Sequence, residues 1–192
     1  MKQMILTSAE GQRIPLNQIK ARSFGGEKLK KRRKTQRPLT PGKIHHVVFK
    51  SSKAKGRLSF YAHRLMVAAL LKEKSRKFFV EVLDFVNMGN HLHLKVRFKD
   101  RHRFGQFLKS YAGTLARQIT GARKGRSFGR FWDGLVFTRI LMSSLEELGL
   151  RGYFEGNHRQ RELGYAERVH YLHRFNQFLY RLKSKKAASL QI

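Results

Sequence analysis

In HLHLKVRF (91–98), His91 and His93 stand two apart, and Lys95 and Arg97 continue the same alternation. Side chains two apart on an extended strand leave the same face. One side of this segment therefore carries two imidazoles and two cations, and Leu92, Leu94, Val96 and Phe98 occupy the other. Two imidazoles on one face can share a divalent cation. Cations beside them can hold phosphate oxygens. Histidines that are merely solvated on a basic strand are the plainer account of the same spacing. His45 and His46 open another strand; one of them could face the open side beside the site, and strand-end solvation is the simpler reading.

The elements that must position these groups follow from periodicity. KIHHVVFK (43–50) reads as a strand. LSFYAHRLMVAALLKEK (58–74) reads as a helix, with Tyr61, Leu65, Ala68 and Leu71 on one stripe. KFFVEVLDFV (77–86) and 91–98 read as a hairpin around the turn Asn87–Asn90. RFGQFLKSYAGTLARQI (103–119) is amphipathic through Phe104, Phe107, Leu108, Tyr111, Leu115 and Ile119. FWDGLVFTRIL (131–141) reads as a last strand. The order β-α-β-β-α-β predicts an α+β, ferredoxin-like sheet with helices on one face and the other face open. His91, His93, Lys95 and Arg97 are then expected on the open face. A further helix is expected from SSLEEL (143–148), where Ser144 and Glu147 have capping-box spacing. Gly149, Gly152 and Gly156 weaken it by about 1 kcal/mol each relative to Ala. YAERVHYLHRFNQFLYRLKSKK (165–186) reads as a basic C-terminal helix.

Charge narrows the class of partner. The chain has 192 residues, 42 Lys+Arg against 12 Asp+Glu, and a formal net charge of +30. A surplus of that size repels itself and calls for a polyanion, nucleic acid above all. Residues 1–40 hold 11 of the basic and 2 of the acidic residues, including Lys30, Lys31, Arg32, Arg33 and Lys34. The patterned stretch 41–164 still holds 25 against 9. Domains are therefore expected as a basic N-terminal arm (1–42), a patterned domain (43–163) and a basic C-terminal helix (164–192). No cysteine is present, which excludes disulfides, thiolate zinc sites and thiol nucleophiles. With no apolar run of membrane-spanning length and no signal-peptide core, a cytoplasmic, nucleoid-associated protein with no membrane partner is expected.

VNMGNHLHLKVRF resembles the His-hydrophobic-His strand of the HUH single-tyrosine transposases, and within them the REP-associated tyrosine transposases. FLKSYAGTLARQIT is similar to the helix that follows that motif. GRSFGRFWDGLVFTRIL is similar to the Gly-rich aromatic approach to the last strand. SSLEELGLRGYFEGNHRQ resembles the helix that carries a tyrosine with an amide residue four positions later. The likeness spans about residues 43–163 in the family's order. Where the family usually has proline before the Asn-His pair, this chain has Gly89.

Carried over by position, the resemblance implies His91, His93 and Asn157 as ligands of Mg²⁺ or Mn²⁺, and Tyr153 as the nucleophile. Tyr153 and Asn157 lie at i, i+4, one turn apart on a helix. It implies cleavage and rejoining of single-stranded DNA near hairpins through a 5′-phosphotyrosine intermediate. Lys95, Arg97 and the run Lys30–Lys34 would bind nucleic acid. The tyrosine helix of such enzymes serves its own subunit or a neighbour's, so a homodimer lies within the expectation. Tyr111 is the rival nucleophile, but its place on the apolar stripe reads as core. Phe131 and Trp132 read either as base-stacking rings or as core. The alternative function is a non-catalytic RNA- or DNA-binding module on the same fold; a basic ribosome-associated protein is a third reading.

Overall fold

Asp100 marks the point where a strand hands over to a helix. Its carboxylate accepts the backbone N–H of Arg103 at 2.7 Å, satisfying one of the donors that a helix N-terminus leaves open. Helix α2 (Arg101–Thr120) begins there, and it ends at Gly121, whose φ of +67 supplies the left-handed cap. The structure is a computed structural model that describes residues 22–26 and 36–162. Their contacts divide into two units, one up to Ile140 and the other from Leu141 onward.

The first unit is built on one antiparallel sheet. Its strands are β1 (Ser23–Phe24), β2 (His45–Lys50), β3 (Val80–Asn87), β4 (His91–Phe98) and β5 (Phe137–Ile140). They lie in the order β1-β5-β2-β4-β3. With α1 (Arg64–Lys77) and α2 between strands, β2 to β5 make the expected β-α-β-β-α-β arrangement. The short strand β1 is added at the edge, pairing Ser23 with Arg139 and Phe24 with Thr138. Arg37 secures this edge: its guanidinium donates to Val136 O at 2.8 Å and Thr138 Oγ1 at 2.7 Å, and sits 4.4 Å from the Phe24 ring centre.

One sheet face and both helices enclose the core. Val47 and Phe49 of β2 and Leu92, Leu94, Val96 and Phe98 of β4 meet Phe104, Phe107, Tyr111 and Leu115 of α2. Each such side chain contributes about 1.5–3 kcal/mol on burial, so the two alternating strands largely fix which way the sheet faces. The apolar stripe of α2 is the one read from its periodicity. That of α1 differs. Leu65 and Tyr61 are exposed, and Val67, Leu70 and Leu71 turn inward. The helix starts only at Arg64, after a 3-10 turn at Gly56–Leu58, so Tyr61 precedes it.

Two local features were not legible in advance. The last strand is shorter than 131–141, because Phe131 and Trp132 belong to a loop packed on the core. Strand β3 carries a bulge between Val82 and Asp84. The extra residue, Leu83, turns the following side chains over, so that Val86 comes to lie opposite His93.

The second unit contains α3 (Ser144–Glu162). Its cap lies one residue earlier than Ser144. Ser143 Oγ accepts Glu146 N at 3.2 Å, and Glu146 Oε2 accepts Met142 N at 3.2 Å. Leu150, Gly152, Phe154, Gly156 and Asn157 are buried. The Lys30–Lys34 run and the expected helix at 165–186 lie outside the described residues.

Candidate metal centre and nucleophile

The register of β2 and β4 assembles the histidines. His46 pairs with Lys95, Val48 with His93 and Lys50 with His91. Directly paired residues share a face, so His46, His91, His93 and Lys95 stand together opposite the core. The rings of His91 and His93 are 4.7 Å apart at their centres and nearly perpendicular. His46 is stacked against His93 at 5.3 Å, with its Nε2 3.0 Å from His93 Nδ1.

These contacts bear on the tautomer of each ring. Asn90 Oδ1 can only accept, so His91 Nδ1–H donates to it at 2.6 Å; in the neutral ring the lone pair is then on Nε2. His93 Nδ1 lies 3.0 Å from His46 Nε2; if His46 accepts there, the lone pair of the neutral His93 ring is on Nε2 as well. All three rings favour the neutral form. Burial lowers the pKa of His93 to about 3, with the neighbouring His91 adding to the effect. Burial also holds His46 well below the usual histidine range, with His93 and Arg139 reinforcing it. His91 is lowered by burial and then by Lys50. Neutral imidazoles are the ones that bind metals.

The turn before His91 has a definite construction. Met88 N donates to His91 O at 2.9 Å, closing a two-residue hairpin around Gly89 and Asn90. Gly89 has a φ of +85, which is the requirement for the first central residue of a type II′ turn. Asn87 braces it, accepting Gly89 N at 3.0 Å and donating to Phe60 O at 2.8 Å. Proline, fixed near φ −65°, could not stand at position 89 of this turn.

Tyr153 and Asn157 lie on α3, in the second unit. Tyr153 is 37% exposed. Asn157 is 5% exposed, and its Nδ2 has no hydrogen-bond partner among the described residues. A buried amide edge left unsatisfied is uncommon, and amide oxygen and nitrogen are interchangeable by rotation. That edge suits a group arriving from outside the fold.

The remaining candidates separate clearly. Tyr111 is fully buried, donates to Val67 O at 3.3 Å, and is pushed far above the usual tyrosine range by burial. It is a core residue. His45 is also core: it packs on Phe98 at 4.7 Å, with Nδ1–H donating to Lys43 O at 2.9 Å. Trp132 stacks on Phe60 at 5.6 Å and donates Nε1–H to Ala112 O at 3.2 Å; Phe131 is buried beside it. Arg97 stands 3.5 Å from Glu81 in an exposed ion pair, which stabilises by at most about 1 kcal/mol and leaves the cation able to exchange partners. Among the described residues no three His, Cys, Asp or Glu side chains converge as a metal site. His46 is the residue the sequence understated, and its signal was the same one used for His91: a position on the strand face opposite Val47 and Phe49.

A REP-associated tyrosine transposase bound to a REP hairpin superposes with a TM-score of 0.51, covering 67% of this chain and 74% of that one at 11% identity. The chain shares that protein's fold. A candidate transposase from Deinococcus radiodurans R1 aligns with a TM-score of 0.41 at 17% identity, over 65% of this chain and 98% of that one. No protein-family model and no curated protein matches the sequence.

Proposed function

We propose that the chain is a transposase-type DNA strand transferase that cleaves and rejoins single-stranded DNA near hairpins. The reading is carried by the two neutral imidazoles, 4.7 Å apart on the sheet face opposite the core, in a fold shared with a hairpin-bound transposase. His91 and His93 would hold Mg²⁺ or Mn²⁺ through Nε2, and Asn157 through its amide oxygen. Two neutral imidazoles and an unsatisfied buried amide suit such a cation and leave coordination positions for phosphate oxygens. Bound there, the cation would supply Lewis-acid polarisation of the scissile phosphate.

The chain's own residues perform the transfer. Tyr153, once its phenol is deprotonated, attacks phosphorus through its oxygen. A tyrosine–phosphorus ester bond forms as the bond from phosphorus to the 3′ oxygen breaks, and the departing oxygen takes up a proton. The products are a 5′-phosphotyrosine link and a free 3′-hydroxyl. Attack by that hydroxyl, or by one on another strand, reverses the step and returns the phenol. Lys95 and Arg97 would hold phosphates flanking the site, and Lys30–Lys34 would grip the backbone without reading sequence.

The test is denaturing electrophoresis of the full chain with an end-labelled, single-strand-flanked hairpin and Mn²⁺. A covalent adduct is expected from the unmodified protein and from Tyr111→Phe, and none from Tyr153→Phe. An adduct that survives Tyr153→Phe would overturn the assignment of the nucleophile. Tight, salt-sensitive hairpin binding with no adduct on any flanking sequence would favour the non-catalytic DNA- or RNA-binding module.

A further inference from the structure

The loop between α2 and β5 builds a second feature that the transfer chemistry does not use. A shallow, open hollow of about 410 Å³ lies where α2 ends. Gly113 and Ala116 contribute to its lining from the helix, and Arg117, Arg123, Lys124 and Phe128 contribute cations and an aromatic ring. The loop stretch 121–130 carries Arg123, Lys124, Arg126 and Arg130 and no acid. Among the described residues, Arg117, Arg123 and Lys124 form no salt bridge. Phe128 is 37% exposed, with Lys53 5.3 Å from its ring centre.

The loop is held in place. Arg123 and Arg126 exchange backbone hydrogen bonds of 3.1 and 2.9 Å, forming a tight tip in which Gly125 takes a φ of +79. Ser51 Oγ donates to Phe131 O at 2.6 Å, and Asp133 accepts both Ser52 N and Ser52 Oγ. Asp133, the one acid of the 121–136 connection, is thereby engaged away from the cations. Asp133 N also donates to Lys50 O at 3.1 Å, and Lys50 is the cross-strand neighbour of His91. The loop that lines the hollow is thus fastened, at Phe131 and just beyond it at Asp133, to the chain at the end of β2.

We propose that this hollow binds an unpaired nucleotide of the DNA strand flanking the hairpin, with a base stacked on Phe128 and its phosphates held by Arg117, Arg123 and Lys124. An exposed ring among uncommitted cations is the arrangement by which proteins hold single strands without reading their sequence. Duplex DNA offers no unstacked base to such a ring. The inference rests on the DNA reading above but concerns a separate set of residues.

The test uses the full chain carrying Tyr153→Phe, so that binding is measured without chemistry. Three fluorescent probes are compared: a blunt hairpin, the same hairpin with a six-thymidine flank, and the free six-thymidine strand. The flank is expected to tighten hairpin binding. Phe128→Ala is expected to remove about tenfold of that gain while leaving blunt-hairpin affinity unchanged, and Arg123→Gln with Lys124→Gln to remove a similar share. A 5-iododeoxyuridine in the flank is expected to crosslink to Phe128, a readout independent of affinity. Equal weakening toward the blunt hairpin, or crosslinks confined to other residues, would overturn the proposal. If neither hairpin binds but the free strand binds in a Phe128-dependent way, the hollow stands and the hairpin reading falls. Thermal melting of each variant separates loss of the site from loss of the fold.

Discussion

His46 connects strand geometry to chemistry at the scale of single residues. With its Nε2 3.0 Å from His93 Nδ1, it can accept the Nδ1 proton of His93 and keep that ring's lone pair on Nε2, as partners behind metal-binding histidines commonly do. His46→Phe keeps a ring in place but removes that acceptor. It is expected to raise the Mn²⁺ concentration needed for half-saturation by about 10- to 100-fold, measured by the paramagnetic resonance of free Mn²⁺. Adduct formation should recover at saturating Mn²⁺, and His46→Gln, with an acceptor oxygen, should recover part of the affinity. His45 yields a prediction about pH. Burial lowers its pKa, opposed by the Lys43 carbonyl, so the unfolded chain binds a proton at a higher pH than the folded one. Stability from this group is therefore full above the ordinary histidine value of about 6.5 and declines as pH falls below it. Chemical denaturation between pH 7.5 and 5 should show that loss, with a smaller slope in His45→Gln.

Two glycines illustrate how elements are joined. Gly25 follows β1 with a φ of +88, and a Cβ there would collide with the Val136 carbonyl oxygen. Gly25→Ala is expected to cost about 1–3 kcal/mol and to release the edge strand from β5. Faster hydrogen exchange at the Ile140 amide, which donates to Arg22 O at 3.1 Å, would report that release. Gly89→Pro puts a residue fixed near φ −65° into a turn position whose φ is +85 and also removes the N–H given to Asn87. It should destabilise by about 1–3 kcal/mol and disturb the approach to His91, seen as a lower melting temperature together with weaker Mn²⁺ binding. Position 89 of this turn calls for a residue that takes a positive φ, which proline cannot.

Charge acts at the scale of the whole molecule. A net charge of +30 spread along the chain predicts that log K for hairpin DNA falls linearly with log salt, by about 0.9 for each phosphate neutralised. Replacing Lys30, Lys31, Arg32, Arg33 and Lys34 with Gln should make the slope shallower while the adduct still forms. This substitution is a cleaner test than truncation, because Ser23–Phe24 pairs with β5 and Arg37 binds Val136 and Thr138. No described helix is long and apolar enough to cross a membrane.

Strict alternation in 91–98 determined by itself which side chains of β4 face the core, since a one-residue slip would have buried both histidines and two cations. The 3.6-residue periodicity of α2 determined its buried stripe in the same way, and the order of elements determined the sheet type. Lengths and phases were less legible. The Phe131–Trp132 pair looks like strand in sequence and is loop in the fold, and the helix read from residue 58 begins only at Arg64. Only the tertiary structure decided that His46 meets His93, because strands 47 residues apart in sequence are brought into register by core packing on the opposite face. It also decided that Phe128 stays exposed among cations. The physical reason is the same throughout. Local sequence fixes which face a side chain takes, whereas long-range register fixes what it meets there.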